Sequence, residues 1–179
     1  KVQRSPYYLL DRLSILDLVL TRREKERNLP FYILSYHRFS SQKEKIPSIP
    51  PRLSLGAFQQ QIEYLCKHFE VVPLGLIASC IQQRKPLPKN AIAITIDDGY
   101  KDNYLYAYPI LREYGVPATI FLTTSYIDGL QTPLADKISF VLSHTHLKEI
   151  SLEGIGRFTL ESEKRRYIAS KLIIQRYKK

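Results

Sequence analysis

The stretch Ala91-Ile92-Ala93-Ile94-Thr95-Ile96 restricts the fold of this chain more than any other. A run of small and β-branched apolar residues without alternation leaves no face for water. It therefore reads as a strand covered on both sides, the pattern of a parallel sheet flanked by helices. The run stops on two carboxylates, Asp97 and Asp98, and Gly99 supplies the permissive backbone for a sharp turn directly after them. If the extended conformation continues through the pair, their side chains point to opposite sides of the backbone, so each meets a different partner. Acids at the carboxyl end of such a strand sit on the rim where α/β folds place their chemistry. Asp-Gly is also a common turn pair, which is the structural alternative for the same residues.

The rest of the pattern supports an α/β chain. Phe31 to Tyr36 reads as a strand after Pro30, with His37 at its end, and Ile46 to Arg52, with three prolines, reads as an extended crossing loop. Ser54 opens a helix whose Phe58, Ile62, Leu65 and Phe69 form one stripe, with His68 beside it. Val71-Val72 reads as a short strand and Leu74 to Ile81 as a second helix. Asn103 to Tyr114 should be helical, started or kinked by Pro109, and Ala118 to Leu122 should be a strand. Strand, helix and strand thus fall within about thirty residues, the length of a right-handed crossover unit. Beyond it, the sequence predicts a helix over Asp136 to Leu142, short strands over Glu149 to Leu152 and Arg157 to Leu160, and a basic helix over Ser162 to Tyr177. Before it, Ser5-Pro6 caps a helix carrying Leu9, Leu13, Leu16 and Leu20, too short and too charged to span a bilayer.

Thr95-Ile96-Asp97-Asp98-Gly99-Tyr100, the preceding Pro88-Lys89-Asn90, and Pro109-Ile110-Leu111-Arg112-Glu113-Tyr114-Gly115-Val116-Pro117-Ala118-Thr119-Ile120-Phe121 together resemble the polysaccharide deacetylase family, carbohydrate esterase family four. The resemblance runs from about Phe31 to the end of the chain, with Ile96 where the family's first motif usually has Phe. It implies an incomplete, distorted (β/α) barrel of the deacetylase type, with an N-terminal helical extension (1–29), the first half of the catalytic domain (30–130) and a C-terminal α+β insertion (131–179). It also implies a hydrolase that removes N-acetyl groups from an acetylated polysaccharide or glycan with one divalent metal, expected to be zinc. At matching positions, Asp97 would take a proton from the attacking water and Asp98 would coordinate the metal. Tyr36-His37 resembles a pair that the family carries near its pocket.

The second motif of the family, His-Ser/Thr-x-x-His, is not matched. His144-Thr145-His146 has the wrong spacing, since position 148 is Lys148 and position 150 is Ile150. Imidazoles at i and i+4 share one side of a helix, whereas i and i+2 do so only in a strand. The expectation is that the remaining metal ligands lie outside this chain, that it is weakly active or inactive alone, and that an open sheet edge favours self-association. The alternative is a non-catalytic module that binds a glycan or a protein. A magnesium-dependent phosphate-handling protein is less consistent, because a Gly-rich phosphate loop is missing.

Charge and cysteines narrow the partners. The net charge of +10 over 179 residues invites nucleic acid. Its sources, however, cluster at Arg22-Arg23-Glu24-Lys25-Glu26-Arg27 and in the last helix, with no nucleic-acid motif beside them. Solvated helix faces are the simpler reading, and contact with an anionic membrane surface or polymer stays open. Cys66 and Cys80 fall among apolar helical residues and read as buried free thiols. Polysaccharide chemistry points to the cell envelope or an extracellular setting, although no signal peptide or membrane span is visible in these residues.

Overall fold

The computed structural model describes residues 31–41, 51–127, 129 and 131–177. The predicted helix after Ser5, the basic run from Arg22, the 1–29 extension and most of the proline-rich loop lie outside the described residues.

Strand β1 (Phe31–Tyr36) and strand β5 (Ala91–Asp98) run parallel, in register from Phe31 opposite Ala91 to Tyr36 opposite Ile96. Strand β4 (Glu70–Val71) pairs parallel with the first two residues of β5, and β6 (Ala118–Leu122) also pairs with β5, which completes a four-stranded sheet. As the uninterrupted apolar run demands, every residue of β5 from Ala91 to Ile96 is buried. Thr95 is tolerated there because its hydroxyl donates to the Leu34 carbonyl at 3.3 Å.

Two helices cover this core. Helix α1 (Leu55–His68) buries Phe58, Ile62 and Leu65 at helical spacing, and α2 (Leu74–Gln83) buries Ile77 and Cys80. Val72, Ile77, Ala91 and Ala93 form a buried cluster with Phe31, Leu74 and Leu87 packed on it. Cys80 is a buried free thiol as expected, but Cys66 is exposed. It follows Leu65 on the helix and so turns off the stripe that faces the core.

The described chain divides into two compact units. One contains β1, Gly56–Ile96 and Ala107–Thr119; the other contains His37–Leu55, Asp97–Tyr106 and the chain from Ile120 onward. In the second, β2 (Arg38–Ser40) and β3 (Arg52–Ser54) form a short parallel pair that the sequence did not announce. After the short helix α4 (Thr124–Ile127), helix α5 (Leu134–His144), the antiparallel hairpin β7 (Glu149–Leu152) and β8 (Gly156–Thr159), and helix α6 (Glu163–Tyr177) follow the predicted order. They enclose Leu142, Leu160, Ala169 and Ile173. The Arg166 guanidinium donates to the carbonyls of Leu142 and Thr145, both at 2.7 Å, and so satisfies acceptors that the end of α5 leaves unpaired.

The single helix expected from Asn103 to Tyr114 is split. A π-helical turn (Asn103–Ala107) precedes α3 (Tyr108–Glu113), in which Pro109 is near the start. Proline has no N–H to donate to the carbonyl four residues back, and a widened turn ahead of it accommodates the loss. The α/β class with parallel strands is the one expected, and the described strands close no barrel.

Ile94 is 1% exposed and lies opposite Leu34 on β1. Ile94→Ala is expected to cost about 2–5 kcal/mol of stability. Urea unfolding should show it as a lowered midpoint with an unchanged slope.

Candidate active site

The candidate site begins where the sheet register ends. Because Tyr36 stands opposite Ile96, His37, the first residue past β1, emerges beside Asp97 near the end of β5. The imidazole Nδ1 of His37 lies 3.5 Å from an Asp97 carboxylate oxygen and 3.9 Å from one of Asp98. All three side chains are partly exposed, His37 by 53%, Asp97 by 32% and Asp98 by 38%, so a solute can reach them.

Both acids therefore face one imidazole instead of diverging. The reason is local: Asp98 has φ 71° and Gly99 φ 69°, so the extended alternation stops at Asp97 and two left-handed residues redirect the chain. Aspartate is among the residues that tolerate this region, but it remains a strained position of the kind that collects at functional sites. Gly99 is required twice over. Its φ favours glycine, and a Cβ there would fall 2.5 Å from Leu122 Cδ2.

A second set of groups surrounds the backbone of this site. Arg38, next to His37, donates from Nε to Asp102 at 3.1 Å and from Nη1 to Asp136 at 3.2 Å. Its guanidinium also lies over the Tyr100 ring, 4.1 Å from the centroid. The other oxygen of Asp102 accepts the Phe39 N–H at 3.2 Å. Burial, and after it the nearby Asp136 carboxylate, push the Tyr100 hydroxyl well above its ordinary pKa, so it stays protonated and bonds to Asp136. Asn103 is 2% exposed. The amide orientation that satisfies it points its nitrogen at the carbonyls of Tyr100 and His37, 3.1 Å each, and at Asp102, 2.8 Å.

Of the residues singled out by sequence, His37, Asp97 and Asp98 are brought together. Tyr36 turns to other partners: its hydroxyl donates to Gln61 at 3.0 Å, its ring meets Phe58 edge-on at 5.1 Å, and burial raises its pKa. His144 lies at the end of α5, stacked on Phe140. Arg38, Asp102, Asn103 and Asp136 were not anticipated. Asp102 and Asn103 are close to the motif in sequence, but Asp136 is 98 residues from Arg38 and carries no local signal.

The family resemblance implies a divalent metal at this site. Among the described residues, no group of three or more His, Cys, Asp and Glu is placed to hold a cation. Catalytic zinc ordinarily takes three protein ligands, so these residues alone do not fit a complete centre.

A family model described as polysaccharide deacetylase matches residues 84–156. A Bacillus subtilis (strain 168) protein named putative polysaccharide deacetylase YxkH is 36% identical over 135 residues, 74% of this chain and 42% of that protein. A poly-beta-1,6-N-acetyl-D-glucosamine N-deacetylase of Staphylococcus aureus (strain MSSA476) is 32% identical over 140 residues, 70% of this chain and 45% of its own length. One of the same name from Escherichia coli (strain K12) is 28% identical over 111 residues, 62% of this chain and 16% of its own length. The chain thus spans less than half the length of each of these curated relatives.

Gly99→Ala is expected to lower stability by about 1–3 kcal/mol, from the left-handed backbone together with displacement of Leu122. Thermal unfolding of the two forms checks it. Over residues 84–156, which include the buried strand and the Asp-Asp-Gly turn, this chain matches the polysaccharide deacetylase family model and is similar to proteins that carry that name.

Proposed function

We propose that the protein hydrolyses N-acetyl groups from an acetylated polysaccharide or glycan, with Asp97, Asp98 and His37 as the reacting group. The observation that supports this most is the convergence of both carboxylates on one imidazole at the end of β5, in a chain that matches this family's model. Substrates of the type named for the relatives, polymers of N-acetylglucosamine joined β-1,6, are the first to try.

Amide hydrolysis needs a group that takes a proton from the attacking water and a group that returns one to the departing nitrogen. Asp97 is assigned the first role. His37, whose imidazole lies 3.5 Å from Asp97, is assigned the second. Asp98 is assigned as one ligand of a divalent cation, zinc by family analogy. The described residues do not complete that cation's coordination. The 179 residues by themselves are accordingly expected to release little acetate.

The test is acetate release from N-acetylated β-1,6-glucosamine oligomers by the whole protein that contains these residues. Asp97→Asn should lower kcat by about 10²–10⁴-fold. Binding of the oligomer with no acetate released would favour the non-catalytic glycan-binding module instead, and full turnover by Asp97→Asn would remove Asp97 from the chemistry. A calorimetric titration of the 179-residue chain with zinc should show only weak binding, further weakened in Asp98→Asn. Tight one-to-one binding would contradict the incomplete donor set.

A further inference from the structure

We propose that Arg38 is a positioning residue, which sets where the His37 imidazole stands relative to Asp97 and Asp98 without touching the reacting atoms. The inference rests on the reading of those three side chains as the reacting group. It concerns a residue that neither the family resemblance nor the sequence pattern assigned.

The need for such a residue follows from His37 itself. Its side chain is 53% exposed, and its 3.5 Å approach to Asp97 is longer than a good hydrogen bond, so the ring's own contacts hold it loosely. Its position must be inherited from its backbone. That backbone is held on several sides by groups converging on Arg38. Asn103 binds the His37 carbonyl, and Asp102 accepts from the Phe39 N–H while pairing with Arg38 Nε. Arg38 then carries the restraint onward to Asp136 in α5 and to the Tyr100 ring.

The chemistry of the side chain suits the task. Arg38, Asp102 and Asp136 are exposed by only 14%, 11% and 22%, so the pairs are poorly screened and breaking them strands a charge. A planar guanidinium can reach two carboxylates from different nitrogens in a fixed fork and still lie flat on a phenol ring. Lysine presents a single compact charge and cannot reproduce that geometry. Tyr100, kept protonated by burial and by Asp136, closes the arrangement from the far side.

The experiment follows the His37 ring resonances by NMR in the whole protein, together with unfolding and acetate release. In the parent, Asp97→Asn should shift those resonances, which establishes that the ring senses the carboxylate. In Arg38→Ala the resonances should move and their response to Asp97→Asn should shrink. Millimolar guanidinium, far below denaturing levels, should restore both, and Arg38→Lys should not. Acetate release by Arg38→Ala should fall about 10-fold or more in kcat with a smaller change in KM, as expected for lost orientation. Should Arg38→Ala fail to fold, Asp136→Asn, which leaves Arg38 one carboxylate partner, is read in the same way and should also move the resonances.

Unchanged His37 resonances in a folded Arg38→Ala or Asp136→Asn protein would overturn the proposal, as would failure of guanidinium to restore them. The two readings separate cleanly. A parent that releases no acetate, but whose His37 resonances follow Arg38, keeps the positioning role and defeats the hydrolase. Acetate release with a His37 ring indifferent to Arg38 does the reverse.

Discussion

Because β1 and β5 run parallel with Tyr36 opposite Ile96, the residue that follows on each strand emerges beside the other. His37 and Asp97 owe their proximity to that register. A slip of one residue would exchange the face of small residues, Ala91, Ala93 and Thr95, for the face of large ones, Ile92, Ile94 and Ile96, and because all six are buried such a slip would be costly. The apolar residues of the strand thus fix the location of its polar end to within a few ångströms. The same register accounts for Tyr36, whose hydroxyl is taken up by Gln61 while its neighbour His37 turns to the acids.

The strand's end is where regular structure gives way. Two consecutive residues at positive φ turn the chain, so that Asp97 and Asp98 serve one imidazole. A non-glycine residue in that conformation is tolerated when its surroundings over-determine it. Here the surroundings include Leu122 against Gly99 and the buried Asn103 amide a few residues on.

Around the acids, the charged groups are arranged to limit motion. Arg38 meets Asp102 and Asp136 in a sparsely hydrated setting, where removing one partner costs more than the pair ever contributed. Such a network gives little net stability and much geometric definition. It joins the residue after His37 to the loop after Gly99 and to helix α5, three stretches far apart in the chain. The π-helical turn at Asn103–Ala107 starts on the buried Asn103, so the break imposed ahead of Pro109 falls where the loop is already anchored.

The sequence by itself determined the parallel α/β class, the buried central strand and the position of its two acids, because an unbroken apolar run and an Asp-Asp-Gly turn are local signals. It also set the order of elements after α3, since hydrophobic spacing and turn residues act over short distances. Tertiary structure alone decided that Asp98 adopts a left-handed backbone and faces the same imidazole as Asp97. It likewise decided that Cys66 is outside and Cys80 inside, and that Asp136 reaches Arg38 across 98 residues. Those outcomes depend on which surfaces meet. Pairwise contacts between distant residues leave no trace in composition or periodicity until the backbone has brought them within hydrogen-bonding range.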